Sequence, residues 1–255
     1  MVRFKLESYT ATRIPSGRGI GQDCHLADDS KGLYIVSDGI GGPRGGEIAS
    51  RIVIETVSAS LAGSGLDKNV DVRRLLLKAV RQGAAEVAAT GRSDPSVARM
   101  AATLTLLLLR AGRYWIAQVG DSRGYLLRDG GLSQLTEDHS LAFEQYKIGA
   151  ISKEEISSHP NQKMLTRSIS AAGPSAIPDI ADGEVHDGDT FLLCTDGLTK
   201  EVSDREVAAA LADAPDIKAG ARRLIEAVKE RDGKDDTTVI LACCASVDSF
   251  TSSCA

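Results

Sequence analysis

Short apolar runs that stop at an aspartate are the feature that most constrains this chain. Leu33-Tyr34-Ile35-Val36-Ser37 ends in Asp38-Gly39, Trp115-Ile116-Ala117-Gln118-Val119 in Gly120-Asp121, and Phe191-Leu192-Leu193-Cys194-Thr195 in Asp196-Gly197. In a fourth run the order reverses, and Asp235-Asp236 immediately precede Thr237-Thr238-Val239-Ile240-Leu241. Runs of this length, rich in β-formers, read as strands. A strand end holds a carboxylate rigidly at the edge of the core and still lets it reach solvent. One Asp-Gly after a strand is an ordinary turn signal. Several such ends converging would gather like charges that raise one another's pKa unless cations fill the gap. Oxygen-only ligation suits Mg²⁺ or Mn²⁺, and the lack of His or Cys beside these carboxylates argues against Zn²⁺. The pattern alone leaves a metal site and a set of structural turns both open.

Further strands are expected over Thr103–Leu109, and Tyr125–Leu127 and Leu132–Leu135 flank Arg128-Asp129-Gly130-Gly131, a hairpin turn in which Gly tolerates positive φ. Helical periodicity places Ile48, Ile52, Thr56 and Val57 on one face after Gly46. A second stripe runs through Val72, Leu75, Leu76, Ala79, Val80, Ala84 and Val87, and a third through Ile217, Ala221, Leu224, Ile225 and Val228. Ser203 with Glu206 three residues on forms a capping box at a helix start. Runs of strands beside runs of helices indicate an α+β fold, with helices packed over mainly antiparallel sheets. The stretch 138–178, with His139, His159, Pro160, Pro174 and Pro178, breaks the pattern and reads as a surface flap with one short helical stretch around Ser152–Ser157.

With 255 residues, 42% hydrophobic and 25% charged, the chain can build one large domain. Its net charge of −5 disfavours nucleic acid and anionic membrane as partners. The start shows no secretory signal, and Ala101–Leu109 is too short to span a bilayer. The five cysteines form no disulfide framework or zinc spacing, and Cys243-Cys244 reads as core on one side and rim on the other. A reducing cytoplasm and a monomer are the expectations. Residues 246–255 read as a polar, disordered tail after a domain spanning 1–245.

In order and spacing, these motifs resemble the metal-dependent protein phosphatase family of type 2C, over almost the whole chain from Tyr9 to Ala242. The family's Arg-x-x-Asn-Gln/Glu-Asp appears as Arg18-Gly19-Ile20-Gly21-Gln22-Asp23, and its Asp-Gly-x-Gly-Gly as Asp38 to Gly42. Gly-Thr-Thr-Leu looks like Ala101-Ala102-Thr103-Leu104, and Gly-Asp-Ser-Arg is complete at Gly120 to Arg123, followed by Thr136 to Leu141. Asp-Gly-Leu stands at Asp196 to Leu198, and Asp-Asn-x-Thr looks like Asp235-Asp236-Thr237-Thr238.

The resemblance implies a four-layer αββα sandwich of two antiparallel sheets, and a bacterial protein serine/threonine phosphatase opposing a Ser/Thr kinase. It implies that Asp38 bridges two Mn²⁺ or Mg²⁺ ions with the Gly39 carbonyl on one of them. Asp196 and Asp235 would ligate directly and Asp23 through water, while Asp121 with Asp196 would hold a third, weaker ion. Arg18 would grip the substrate phosphate. A water between two divalent ions is acidified toward neutrality, so a metal-bridged hydroxide would attack phosphorus in line without a protein nucleophile. Gly21 and Asp236 replace Asn residues of the family motifs, and Ile40 excludes a His general acid at its position. Those departures keep open an alternative, a weakly active module that binds a phosphoprotein or kinase. His139 is expected to pack or hydrogen-bond, and Lys163 and Arg167 to lie on a solvated flap.

Arg18 carries a sharp test, because a planar guanidinium fits two phosphate oxygens at once and an ammonium does not. Arg18→Lys is expected to raise KM for a phosphothreonine peptide with little change in metal affinity. Steady-state kinetics like those of the unaltered protein, for both Arg18→Lys and Arg18→Ala, would remove Arg18 from the site.

Overall fold

The computed structural model describes residues 4–17, 19–63, 70–173 and 176–247. Strands β1 (Phe4–Arg13), β2 (Cys24–Asp28), β3 (Leu33–Ser37) and β4 (Gly39–Ile40) lead into two long helices, α1 (Gly42–Ala62) and α2 (Val72–Ser93). Five strands follow: β5 (Ala101–Ala102), β6 (Leu104–Arg110), β7 (Arg113–Val119), β8 (Arg123–Arg128) and β9 (Gly131–Gln134). Next come α3 (Leu141–Lys147), β10 (Ile169–Ser170), β11 (Asp179–Glu184) and β12 (Thr190–Cys194). Helices α4 (Asp196–Thr199), α5 (Asp204–Ala212) and α6 (Ile217–Glu230) then lead to β13 (Thr237–Ser246).

One sheet has the order β1-β13-β12-β8-β9 and the other β11-β7-β6-β3-β2, with a small third sheet β10-β5-β4. The pairings are antiparallel throughout. The central strands are buried on both faces, which is why they read as unbroken apolar runs rather than alternating ones. In β3, Leu33 and Ile35 face the α1 and α2 side, whereas Tyr34 and Val36 face the other sheet. In β12, Leu192 and Cys194 face the α5 and α6 side, whereas Phe191 and Leu193 point between the sheets. Three apolar layers therefore separate four structural ones, the αββα sandwich that the resemblance implied.

The helices follow their apolar stripes. Val72, Leu75, Leu76, Ala79, Val80, Ala84 and Val87 are all buried on α2, whose Asp71 N-cap accepts from the Arg74 N–H. The capping box of Ser203 and Glu206 starts α5. Asp129 (φ 51°) and Gly130 (φ 77°) make the tight turn between β8 and β9.

Several boundaries differ from expectation. The helix in the 138–178 stretch is α3, capped by Ser140, while the region around Ser152–Ser157 holds only a single turn of 3₁₀ helix at Ile156–Ser158. Ser246, expected to open the tail, instead closes β13, and its N–H donates to Asp187 Oδ1 at 2.5 Å. Residues 248–255 of that tail lie outside the described residues. Cys244 is buried and Cys243 half-buried, as the reading of that pair requires.

Phe191 packs between the sheets against Tyr114, ring centroids 5.2 Å apart. Phe191→Ala is expected to destabilise by about 3–5 kcal/mol. Ser203→Ala, which removes only a cap, should cost about 1 kcal/mol. Urea denaturation of the two variants checks the ranking, and equal losses would contradict this layering.

Candidate metal centre

The aspartates at the strand ends are held by neutral hydroxyls and backbone groups. The Asp38 N–H donates to Thr103 Oγ1 at 2.9 Å, and the Thr103 N–H returns a bond to the Asp38 carbonyl at 2.9 Å. Thr103 Oγ1 also lies 2.7 Å from Ser122 Oγ, and Thr105 Oγ1 donates to the Ser122 carbonyl at 2.7 Å. Thr103, from the stretch resembling Gly-Thr-Thr-Leu, thus locks the Asp38 turn to the Asp121-Ser122 turn. Gly120 is needed there twice over, because its φ is 107° and a Cβ would sit 2.6 Å from Thr103 Cγ2.

The Asp121 turn is clamped from its other side. Arg123 makes a bidentate pair with Asp138 at 2.8 and 2.6 Å. The Gly120 N–H donates to His139 Nδ1 at 3.0 Å, and His139 Nε2 lies 3.0 Å from Asp179 Oδ2. Burial holds the His139 pKa below its ordinary value. The neutral ring therefore accepts at Nδ1 and donates from Nε2, a hydrogen-bonding role as expected. Arg167 is not a free basic group of the flap, since it chelates Asp179 at 2.7 and 2.8 Å.

The other sheet supplies the remaining carboxylates. Asp23 Oδ2 accepts from the hydroxyls of Thr195 and Thr238, both at 2.8 Å, which brings the loop before β2 onto the ends of β12 and β13. Asp236 Oδ2 accepts from the Gln22 N–H at 2.7 Å. Gly39 and Gly197 follow their aspartates because of crowding. A Cβ on Gly39 would lie 2.0 Å from the Gly46 carbonyl oxygen, and one on Gly197 would lie 2.0 Å from that of Asp236.

Asp23, Asp38, Asp121, Asp196 and Asp235 thus share one end of the sandwich and feel one another's charge. Burial, then the neighbouring carboxylates Asp196, Asp23 and Asp121, raise Asp38 well above the usual carboxylate range. Burial likewise pushes Asp121 to about 8, with Asp196 and Asp138 adding to it. It pushes Asp23 to about 7 against its two threonine hydrogen bonds. Burial also raises Asp196, although Lys200 pulls it down. Lys200, at the C-cap of α4, pairs with Asp196 and lies 2.7 Å from Asp235 Oδ2.

The donor set fits hard divalent cations. It is all oxygen, and Asp23 Oδ1 and Asp196 Oδ1 are buried without a hydrogen-bond partner. Among the described residues, no three acidic, His or Cys side chains close into a tight cage. Lys200 instead stands on two of the carboxylates. Arg18 lies outside the described residues. Sequence patterns assigned no contact here to Lys200, Thr195 or Arg123, although Thr195 and Arg123 stand within the motifs. Only Lys200's position four residues after Asp196, one helical turn, hinted at its contact.

A two-sheet sandwich with an all-oxygen acidic pocket at its strand ends defines a metal-dependent phosphatase architecture. The chain belongs to the protein phosphatase 2C family, whose sequence profile matches residues 18–234. It is 38% identical over 211 residues to the serine/threonine protein phosphatase PstP of Mycobacterium tuberculosis, covering 82% of this chain and 40% of that protein. The chain thus spans well under half of that relative. It is 34% identical to the serine/threonine phosphatase Stp of Listeria monocytogenes, over 84% of each chain. The crystal structure of the M. tuberculosis phosphatase superposes with a TM-score of 0.85 at 35% identity, covering 93% of this chain and 98% of that one. The catalytic domain of PstP in complex with two manganese ions superposes with a TM-score of 0.84 at 32% identity, covering 95% and 100%.

The raised carboxylates make a signed prediction for the metal-free protein. Asp23 and Asp121 keep protons to about pH 7 and 8 in the folded chain, whereas the unfolded chain releases them near 3.8. The folded state therefore binds more protons across this interval, and stability falls as pH rises, by up to about 1.4 kcal/mol per pH unit for each proton retained. His25 and His139, with lowered pKa values, act in the opposite sense only below about 6.5. In EDTA, Tm should drop between about pH 6.5 and 8, and saturating Mn²⁺ should flatten the slope. A metal-free Tm that is level or rising over this window would count against the buried cluster.

Proposed function

We propose that this chain hydrolyses phosphoserine and phosphothreonine in proteins, using two divalent ions held at the carboxylate cluster. The supporting observation is the set of buried, orphaned carboxylate oxygens at converging strand ends, in a chain whose relatives are serine/threonine phosphatases. In this reading Asp38, Asp196, Asp235 and the Gly39 carbonyl would hold the ions directly. Asp23, anchored by Thr195 and Thr238, orients bound water with its free Oδ1. Asp121 and Asp196 would hold a third, weaker ion, and Arg18 would grip the phosphate. The bound ions supply an acidified water and neutralise charge on the phosphoryl oxygens.

The chain's own residues orient and exclude. Thr103 and Ser122 fix two carboxylate turns relative to each other, so the ligands are preorganised before ions arrive. Ile40, 39% exposed beside the Asp38-Gly39 turn, offers no proton, so leaving-group protonation falls to water or to another group. The two departures from the family motifs remove no proposed ligand. Asp236 accepts the Gln22 N–H as an amide oxygen would, and the space at Gly21 is filled by Ile14, whose Cδ1 lies 2.9 Å from where a Cβ would be. An active enzyme is therefore favoured over a phosphatase-like binding module. Mn²⁺ is the favoured ion, with Mg²⁺ as substitute. The substrates are phosphoproteins made by a Ser/Thr kinase, acted on in the cytoplasm by a monomer.

Hydrolysis of a phosphothreonine peptide and of para-nitrophenyl phosphate should be lost in excess EDTA and restored by Mn²⁺. Asp38→Ala and Asp196→Ala should each lower the rate by at least about three orders of magnitude with the fold preserved by circular dichroism. Full turnover without metal, or near-normal turnover in Asp38→Ala, would refute this centre.

A further inference from the structure

Lys200 has no part in the chemistry above, yet it sits on two of the proposed ligands. Its ammonium pairs with Asp196, and Nζ lies 2.7 Å from Asp235 Oδ2. The backbone fixes this placement, since Lys200 caps α4 one turn after Asp196 and its N–H donates to the Asp196 carbonyl at 2.9 Å. The side chain is 21% exposed, so the long stem has a path to solvent.

An ammonium and a divalent ion cannot both use the same carboxylate lone pairs. Mg²⁺ bonds to oxygen at about 2.0–2.1 Å, closer than an ammonium approaches. Seating an ion between Asp196 and Asp235 therefore requires Lys200 to leave. The ammonium is held at the end of a short tether, so its local concentration is high whatever the solution contains. Until it leaves, it supplies positive charge to a pocket crowded with carboxylates and opposes the repulsion among those that ionise.

We propose that Lys200 is a built-in counter-ion that occupies the Asp196–Asp235 ion position in the metal-free protein and competes with the divalent ion for it. This inference rests on the reading of Asp196 and Asp235 as ligands. Its consequence is a metal threshold. The apparent affinity at this position is lowered by the fraction of molecules in which Lys200 still occupies it. The fold stays intact without metal because the lysine replaces part of the missing charge.

The test uses Lys200→Met, which keeps the stem and removes the charge, with Lys200→Gln as a second variant. Each metal-free protein is titrated with Mn²⁺, and free aqueous Mn²⁺ is read by electron paramagnetic resonance, independently of activity. At least one class of bound Mn²⁺ should tighten by about tenfold or more in both variants. In EDTA, both should melt below the unaltered protein, and saturating Mn²⁺ should close that gap. In the unaltered chain, acetylation of Lys200 by an amine-reactive ester, followed by mass spectrometry, should be slow in EDTA and faster with Mn²⁺ bound. That measurement needs no variant to fold. Unchanged or weaker Mn²⁺ binding in the variants, or equal acetylation with and without Mn²⁺, overturns the counter-ion role while the metal centre stands. Failure of the unaltered protein to bind Mn²⁺ overturns both.

Discussion

Buried carboxylates cannot be gathered in their ionised form without counter-charge, and the architecture is organised around that repulsion. Strands β3 and β7 of one sheet and β12 and β13 of the other deliver Asp38, Asp121, Asp196 and Asp235 to the same end of the sandwich. The centre therefore spans the gap between the sheets. The apolar layer in that gap, with Tyr34, Leu107, Phe191, Leu193 and Ile240, sets how far apart the two groups of carboxylates stand. Core packing and site geometry are one constraint, because sliding one sheet over the other would move these carboxylates relative to one another.

What scaffolds the carboxylates is chemically selective. Next to them stand neutral groups: the Thr103 hydroxyl, which accepts the Asp38 N–H, and the hydroxyls of Thr195 and Thr238 and the N–H of Gln22, which donate to carboxylate oxygens. Guanidinium clamps are set one step back, Arg123 on Asp138, Arg167 on Asp179 and Arg128 on Asp189. A hydroxyl orients one carboxylate oxygen and leaves the other free to bind a cation. A bidentate guanidinium occupies both. The neutral inner layer thus preserves ligand capacity, and the ionic outer layer rigidifies the turns. Lys200 is an exception to this division, a cation in the inner layer, which is why its presence calls for a functional account.

The features legible in the sequence are those with a local physical signature. Doubly buried strands such as β3, β6 and β12 announce themselves as apolar runs, and α2 and α6 by stripes of one face. Strand β1, Phe-Lys-Leu-Glu-Ser-Tyr-Thr-Ala-Thr-Arg, gave no such signal. It lies on a sheet edge, alternates half-buried with exposed positions at its start, and draws its order from the register with β13. Strand β2, on an edge of the other sheet, is similar, five residues paired only with β3. At the site, each aspartate was visible because a strand ended at it. The clamps were not, because Arg123 finds Asp138 and Thr195 finds Asp23 through tertiary packing that no spacing encodes.

The family motifs can be reread in this light as descriptions of contacts. Thr103 is there to tie the Asp38 turn to Ser122, Gly120 to make room for Thr103, and Thr238 to hold Asp23. Gly21 and Asp236 show how a motif can change without losing its contacts. Gly21 has no side chain, and Ile14 Cδ1 lies 2.9 Å from where one would begin, with Asp236 Oδ2 3.8 Å from the same point. Asp236 keeps the hydrogen bond to Gln22 but adds a buried carboxylate. That change keeps the geometry and alters the charge. One more negative group in a pocket already short of counter-charge strengthens its demand for cations. The same demand makes a lysine on Asp196 and Asp235 tolerable in the absence of metal, since an ammonium there relieves repulsion that Asp236 has increased.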